Sequence, residues 1–153
     1  FFNKREFSRA ENFYEKELKL YPKSDLSLFG LARIKESSFL REEAISLYEK
    51  SLDIKKTLWA LINLAILYQD IDKLDEAEEL LIQAIEINSK FYKTYSNLSS
   101  LYEKKGELDE ACRCAHEAIH SYGLSPNKNQ NDIELLNTNL FNIIEKISCK
   151  QGT

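Results

Sequence analysis

Apolar residues recur along most of the chain at intervals of three and four positions, which is the spacing of an amphipathic helix. The stretch TLWALINLAILY, from Thr57 to Tyr68, carries two apolar stripes with this spacing. They are displaced by two residues, or roughly 200° around a helix, so they lie back to back. The first consists of Leu61, Leu64, Ala65 and Tyr68, and the second of Trp59, Ile62, Asn63 and Ile66. One stripe is enough to pack against a neighbouring helix, and the second is left over.

The pattern repeats along the chain with a period of 33 or 34 residues. A shift of 34 places Asp75–Ala77 on Asp109–Ala111, and YEKEL at 14–18 on YEKSL at 48–52. A period in the thirties is typical of stacked helical repeats. Each unit is predicted to form two helices. A segment with helical spacing is followed by a break, such as Gly106, and then by acidic residues, which favour the start of a second helix.

These units resemble the tetratricopeptide repeat, whose pattern is an aromatic residue or Leu, then Leu, a small residue and Tyr, with Ala, an aromatic residue, Ala and Pro later. One unit holds those places with Leu61, Leu64, Ala65, Tyr68, Ala77, Leu81 and Ala84, and the next with Tyr95, Leu98, Ser99, Tyr102, Ala111, Ala115 and Ala118. The preceding unit departs from the pattern at Lys35 and Ser51. The resemblance covers about residues 1–122 and implies an all-α fold, a right-handed α-solenoid of helix-turn-helix repeats.

We expect a single domain over 1–153, built from segments of this repeat and a C-terminal capping helix. The segments are a partial repeat (second helix) at 1–23, repeats at 24–56, 57–90 and 91–123, a polar linker at 124–130 and the capping helix at 131–149. The last helix carries an apolar stripe of Ile133, Leu136, Leu140, Ile143, Ile144 and Ile147. It is expected to cover the exposed end of the last repeat. A helix that binds a partner is the alternative.

Composition narrows the classes of function. A formal net charge of -4 without basic clusters argues against nucleic acid as a partner, and no apolar run approaches the ~20 residues of a membrane-spanning helix. The three cysteines, Cys112, Cys114 and Cys149, are too few to stabilise the domain through disulfide bonds. We therefore expect a reducing, cytoplasmic location. The chain contains no Met and opens at Phe1, which indicates a piece of a longer protein.

Candidate chemistry is sparse. Cys112, His116 and His120 are spaced four apart, so they can line one stripe of a helix and offer ligands to zinc. The repeat register assigns them to ordinary helix-surface positions and no fourth ligand is evident, so no metal site is predicted. The sequence also lacks a phosphate-binding loop, a nucleophile elbow and paired catalytic carboxylates. We therefore predict no cofactor, no catalytic residue and no enzyme activity.

In proteins with this repeat, the first helices of successive units line a concave groove, and by that resemblance the second stripe of TLWALINLAILY faces into it. Applying the same register to the neighbouring units gives the predicted groove. It consists of Leu26, Phe29, Arg33, Trp59, Ile62, Asn63, Ile66, Lys93, Ser96, Asn97 and Ser100. An exposed apolar patch with a polar rim is typical of a contact site, and Trp and Arg are enriched among binding hot spots.

One known use of such a groove can be compared residue by residue. Co-chaperones of the large heat-shock proteins resemble this chain in the repeat and hold a C-terminal carboxylate with Lys, Asn and Arg side chains. Asn63 and Lys93 match that arrangement, but Phe29 and Arg33 stand where Lys and Asn are expected, and Asn97 replaces the last Arg. A full carboxylate clamp is therefore not expected, although Arg33 and Lys93 can hold one acidic group. The asparagines also have a local interpretation, as hydrogen-bond partners within the repeat.

The leading prediction is a protein–protein interaction module, or scaffold, that binds an apolar peptide or helix of another protein in the predicted groove. The partner segment is expected to be apolar with one acidic residue. Two alternatives remain open: self-association as a homodimer, and a chaperone that shields an apolar segment of a secreted protein.

Overall fold

The computed structural model describes residues 4–126 and 128–151, with side chains described over 6–126 and 128–148. Phe1 and the side chain of Cys149, both named above, lie outside this part. Within it the chain forms eight α-helices and no strand. They are α1 (Lys4–Leu20), α2 (Asp25–Ser37), α3 (Arg41–Ile54), α4 (Leu58–Asp70), α5 (Leu74–Ile87), α6 (Tyr92–Lys105), α7 (Leu108–Gly123) and α8 (Gln130–Gln151). None of the helices in these ranges combines the length and apolar character needed to cross a bilayer.

The helix pairs α2–α3, α4–α5 and α6–α7 are each joined by a turn of the same design. Each turn holds one residue in the left-handed backbone region, namely Phe39 (φ 60°), Asp72 (φ 63°) and Gly106 (φ 79°). In all three turns the next residue donates its backbone N–H to the carbonyl five positions earlier, at 2.9 Å. This arrangement ends a helix by satisfying carbonyls that have no partner within it. The predicted all-α architecture of helix-turn-helix units is confirmed for the described residues.

The chain divides into two compact units, Phe1–Leu67 and Tyr68–Thr153, with the boundary inside α4. In the first unit, α2 packs against α1 and α3. The two departures from the repeat pattern have structural partners there. Lys35 contacts Glu11 at 2.9 Å and Glu43 at 3.1 Å, which ties α2 to both neighbouring helices. The Ser51 hydroxyl donates to the carbonyl of Asp25 at 3.0 Å, which ties α3 to the start of α2.

In the second unit, α6 packs against α5 and α7, and α8 packs against α7. The apolar stripe of α8 enters two clusters with α6 and α7, one around Ala115 and Ile143 and one around Tyr122 and Leu136. Five of the six predicted stripe residues lie in these clusters, whereas Ile144 is 44% exposed. The helix therefore covers α7 through its apolar face, as expected for a capping helix.

Candidate functional site

A pocket of about 340 Å³ lies in the first unit, and its lining includes four of the predicted groove residues. Phe29 and Arg33 come from α2, and Trp59 and Asn63 come from α4. In each helix the two residues are four positions apart, so they project from adjacent turns on one face. The structure thus brings together an aromatic pair, a guanidinium and an amide.

Tyr48 of α3 supports this pocket from within the core. It is fully buried, and its hydroxyl donates to Glu36 Oε2 at 2.7 Å while accepting from Asn63 Nδ2 at 3.1 Å. Its ring centroid lies 5.7 Å from that of Phe29. Burial, followed by the hydrogen bond to the Glu36 carboxylate, raises the pKa of Tyr48 well above its usual range. The hydroxyl therefore stays protonated, and it fixes the orientation of the Asn63 amide.

Exposure differs among the apolar groove residues of the first unit. Leu26, Trp59 and Ile66 are exposed, with Trp59 at 48%. Ile62 is only 3% exposed, so the prediction that it contributes surface to an apolar patch is wrong. The packed face of α4 is wider than one stripe, because the buried positions include Ala60, Leu61, Ile62, Leu64 and Ala65.

Arg33 gives the pocket its charge. Its side chain is exposed, and among the described residues no carboxylate forms an ion pair with it. Its backbone carbonyl accepts a hydrogen bond from the Ser37 hydroxyl at 2.9 Å. Guanidinium groups present several donors in a planar fork that matches a carboxylate. The pocket therefore combines aromatic surface with a cation able to bind an acidic group.

The remaining predicted groove residues lie on α6, in the second unit. Lys93 and Ser100 are exposed, whereas Ser96 and Asn97 are half-buried. The Asn97 side chain donates from Nδ2 to the carbonyl of Lys93 at 2.9 Å, one turn earlier in the same helix. Asn97 thus has a hydrogen-bond partner within its own repeat, as the local interpretation predicts. Asn63 does not, because its amide donates to Tyr48 of the preceding repeat.

The cysteines and histidines of α7 do not converge on a site. Cys112 packs beside the Ala111–Ile143 cluster, while His116 and His120 are exposed. Among the described side chains, no group of three or more His, Cys, Asp or Glu residues is placed to hold a metal ion. Burial raises the pKa of the Cys114 thiol to about 11, so this thiol is protonated near neutral pH and a poor nucleophile.

A model of the tetratricopeptide repeat matches residues 57–90 and 93–123. These two segments are tetratricopeptide repeats. Together they cover less than half of the chain, and the first of them contains Trp59 and Asn63 of the pocket. The family recognised from the sequence pattern is therefore confirmed for α4 to α7. No curated protein matches the chain.

Solved structures with this fold extend the likeness over nearly the whole chain. BtubC (BKLC) from P. vanneervenii is 19% identical with a TM-score of 0.84, and the match covers 93% of this chain and 66% of that one. MamA is 23% identical with a TM-score of 0.70, covering 98% and 94% respectively. The Sgt2 TPR domain from Aspergillus fumigatus is 18% identical with a TM-score of 0.73, covering 84% and 82%. At these identities the likeness is one of fold.

Tyr48 was not among the residues predicted for the site, although the repeat carries a signal for it. YEKEL and YEKSL place Tyr14 and Tyr48 at one repeat position, and a shift of 33 places Gly30 on Asn63. In the structure, the Tyr14 ring lies against Gly30 as Tyr48 lies against Asn63. In both cases a tyrosine of one helix contacts the next helix at the repeat position that Gly30 and Asn63 share.

Proposed function

We propose that this tetratricopeptide-repeat chain is a non-catalytic interaction module, and that its Phe29–Trp59 pocket binds an apolar segment of a partner protein that carries one acidic side chain. One observation carries the proposal: two aromatic side chains and Arg33 line one pocket, and Arg33 has no carboxylate partner among the described residues. An apolar side chain seated against the rings removes surface from water, and a neighbouring carboxylate complements the guanidinium.

The pocket is held in shape before any partner arrives. Tyr48 is buried and bonded to both Glu36 and Asn63, so the aromatic wall and the amide are fixed by the packing of three helices. A preformed pocket loses little conformational freedom on binding, and this favours affinity. The exposed Trp59 and Leu26 then extend the apolar surface beyond the pocket.

The α6 residues of the predicted groove belong to the same proposal, as a separate contact region. Lys93 adds a second cation, and Ser96, Asn97 and Ser100 offer hydrogen-bonding groups. A cytoplasmic setting is also proposed, because Cys112 and Cys114 are free thiols, which are typical of a reducing compartment.

Trp59 provides the means of testing the proposal, because it is the only tryptophan in the chain. Peptides selected from a random display library against the whole chain would be synthesised and titrated while Trp59 emission is recorded. We expect selected peptides to contain a large apolar residue and a nearby Asp or Glu. Replacing that acid by its amide is expected to weaken binding roughly tenfold, as for a charge-assisted hydrogen bond.

Two variants assign this effect to the pocket. In Arg33→Gln the acidic peptide and its amide form should bind equally, because the cation that distinguishes them is gone. Trp59→Ala, measured by calorimetry, should abolish binding, whereas Ile82→Ala is the matched control, since Ile82 is 47% exposed on α5. Peptides that bind Trp59→Ala as tightly as the unmodified chain would show that the pocket is not the binding site.

A further inference from the structure

The turn between α2 and α3 holds Phe39 in an unfavourable backbone conformation. Its φ is 60°, in the left-handed region, where a Cβ atom crowds the backbone and Gly, Asn or Asp is preferred. The other two turns of this design follow that preference, with Asp72 and Gly106 at the same place. The turn geometry therefore does not explain why an aromatic residue stands at position 39.

Packing does not explain Phe39 either. Its side chain is 93% exposed, and the next residue, Leu40, is 42% exposed. The interaction that the structure shows for Phe39 is a backbone one, from its N–H to the carbonyl of Glu36 at 3.0 Å. A strained position that carries an almost fully exposed aromatic ring is a feature of binding sites rather than of a stable turn.

The Phe29–Trp59 pocket has the properties that such a ring requires. It offers two aromatic side chains, and its volume of about 340 Å³ admits a large apolar side chain. Phe39 lies ten residues after Phe29, in the turn that follows the end of α2 at Ser37. Since its ring is almost entirely in solvent, it does not occupy the pocket of its own chain, and a second copy is needed to bring the two together.

Charge supports the same pairing. Glu42 follows Phe39 by three residues and is exposed, and no ion pair joins it to a cation among the described residues. Arg33, in the pocket, is likewise without a carboxylate partner in that part of the chain. An apolar side chain followed closely by a carboxylate complements a pocket lined by two aromatic rings and Arg33. Both groups are supplied by the Phe39–Glu42 turn, a name that includes the first two residues of α3.

We propose that the Phe39–Glu42 turn of one copy of this chain binds in the Phe29–Trp59 pocket of a second copy, with Glu42 against Arg33. The inference rests on the proposed function, because it uses the same pocket. The inserted turn and the receiving pocket are different parts of the surface of the chain, so each can be removed by a separate substitution.

Sedimentation velocity of the whole chain over a wide concentration series tests this contact. The unmodified chain should associate as its concentration rises. Phe39→Gly should lower the association constant by at least about tenfold, as expected for an aromatic anchor. Because Gly adopts positive φ without strain, this variant should unfold at equal or higher urea concentration, so a loss of association is not a loss of fold. Phe141→Ala, which removes another exposed aromatic ring, should associate normally.

A mixing experiment identifies the two surfaces. Phe39→Gly keeps its pocket and Trp59→Ala keeps its turn, so each alone should remain monomeric, while their mixture should form a dimer and no larger species. A chain that stays monomeric throughout, or a Phe39→Gly variant that associates normally, overturns the inference. Peptide binding that is lost in Trp59→Ala would still support the proposed function in that case. If self-association depends on Phe39 but no selected peptide binds, the inference stands and the pocket recognises only the Phe39–Glu42 turn.

Discussion

Asn63 on α4 donates a hydrogen bond to the Tyr48 hydroxyl on α3 at 3.1 Å, and the same hydroxyl donates to Glu36 on α2 at 2.7 Å. One buried hydroxyl thus links three helices directly beneath the candidate site. A satisfied buried polar group of this kind specifies one arrangement of the helices around it. The pocket and the core of the first unit are therefore stabilised by the same interactions.

Replacing Tyr48 by Phe should destabilise the chain by about 1–3 kcal/mol, because Glu36 and Asn63 both lose a partner. Urea unfolding followed by circular dichroism measures the change. Tyr95→Phe is the matched control, since its hydroxyl donates to the Ser89 carbonyl at an exposed site at 3.0 Å. The control should change stability by less than ~0.5 kcal/mol. Equal effects of the two variants would contradict a central role for Tyr48.

Gly30→Ala should destabilise the chain, although Ala is normally favoured over Gly in a helix by about 1 kcal/mol. A Cβ atom at position 30 would lie 2.7 Å from Cε2 of Tyr14, inside the contact distance. We expect a net loss of about 1–3 kcal/mol from this overpacking. Gly123→Ala on α7 is the control, because nothing lies within 4 Å of its added Cβ.

The cause of the Gly30→Ala effect can be isolated with a second substitution. In a Tyr14→Ala background the ring is absent, so Gly30→Ala should become neutral or stabilising. A double-mutant cycle from urea midpoints gives the coupling energy between the two positions. A coupling near zero would mean that the close approach of Tyr14 does not limit position 30.

The repeat pattern was sufficient to predict the helices, because apolar periodicity reports which side of each helix is buried. It was less informative about the candidate site. The helical spacing predicts that Trp59 and Ile62 share one exposed stripe, yet Ile62 is buried. Burial of a helix face depends on how many other helices pack against it, which the spacing within one helix does not report. No sequence pattern marks Phe39, because its importance comes from a backbone conformation and an exposure that only the three-dimensional structure shows.

The capping helix provides a third prediction. Ile143 is 1% exposed in the cluster with Ala111 and Ala115, whereas its neighbour Ile144 is 44% exposed. Ile143→Ala should therefore cost about 2–5 kcal/mol, through lost burial and the cavity left behind. Ile144→Ala should cost less than ~1 kcal/mol. Urea unfolding of the two variants compares adjacent positions on one helix, and similar losses would show that α8 does not pack as described.

Alkaline pH should unfold the chain partly through Tyr92, which joins α6 to the start of α8. Its hydroxyl donates to Asp132 Oδ2 at 2.8 Å. Burial, and then the bond to that carboxylate, raise the pKa of Tyr92 from an ordinary value of 10.0 to about 12. A raised pKa in the folded state means that the neutral hydroxyl is favoured by folding. Its contribution is therefore complete below pH 10 and is lost as the pH rises through about 12.

Unfolding free energies measured by urea titration over that pH range test the assignment. The loss of stability should be smaller in Tyr92→Phe than in the unmodified chain, because Phe cannot ionise in the unfolded state. Asp132→Asn should lie between the two, since burial is the larger cause of the raised pKa and remains in that variant. If Tyr92→Phe lost stability over the same pH range as steeply as the unmodified chain, the alkaline transition would have to be assigned to other groups.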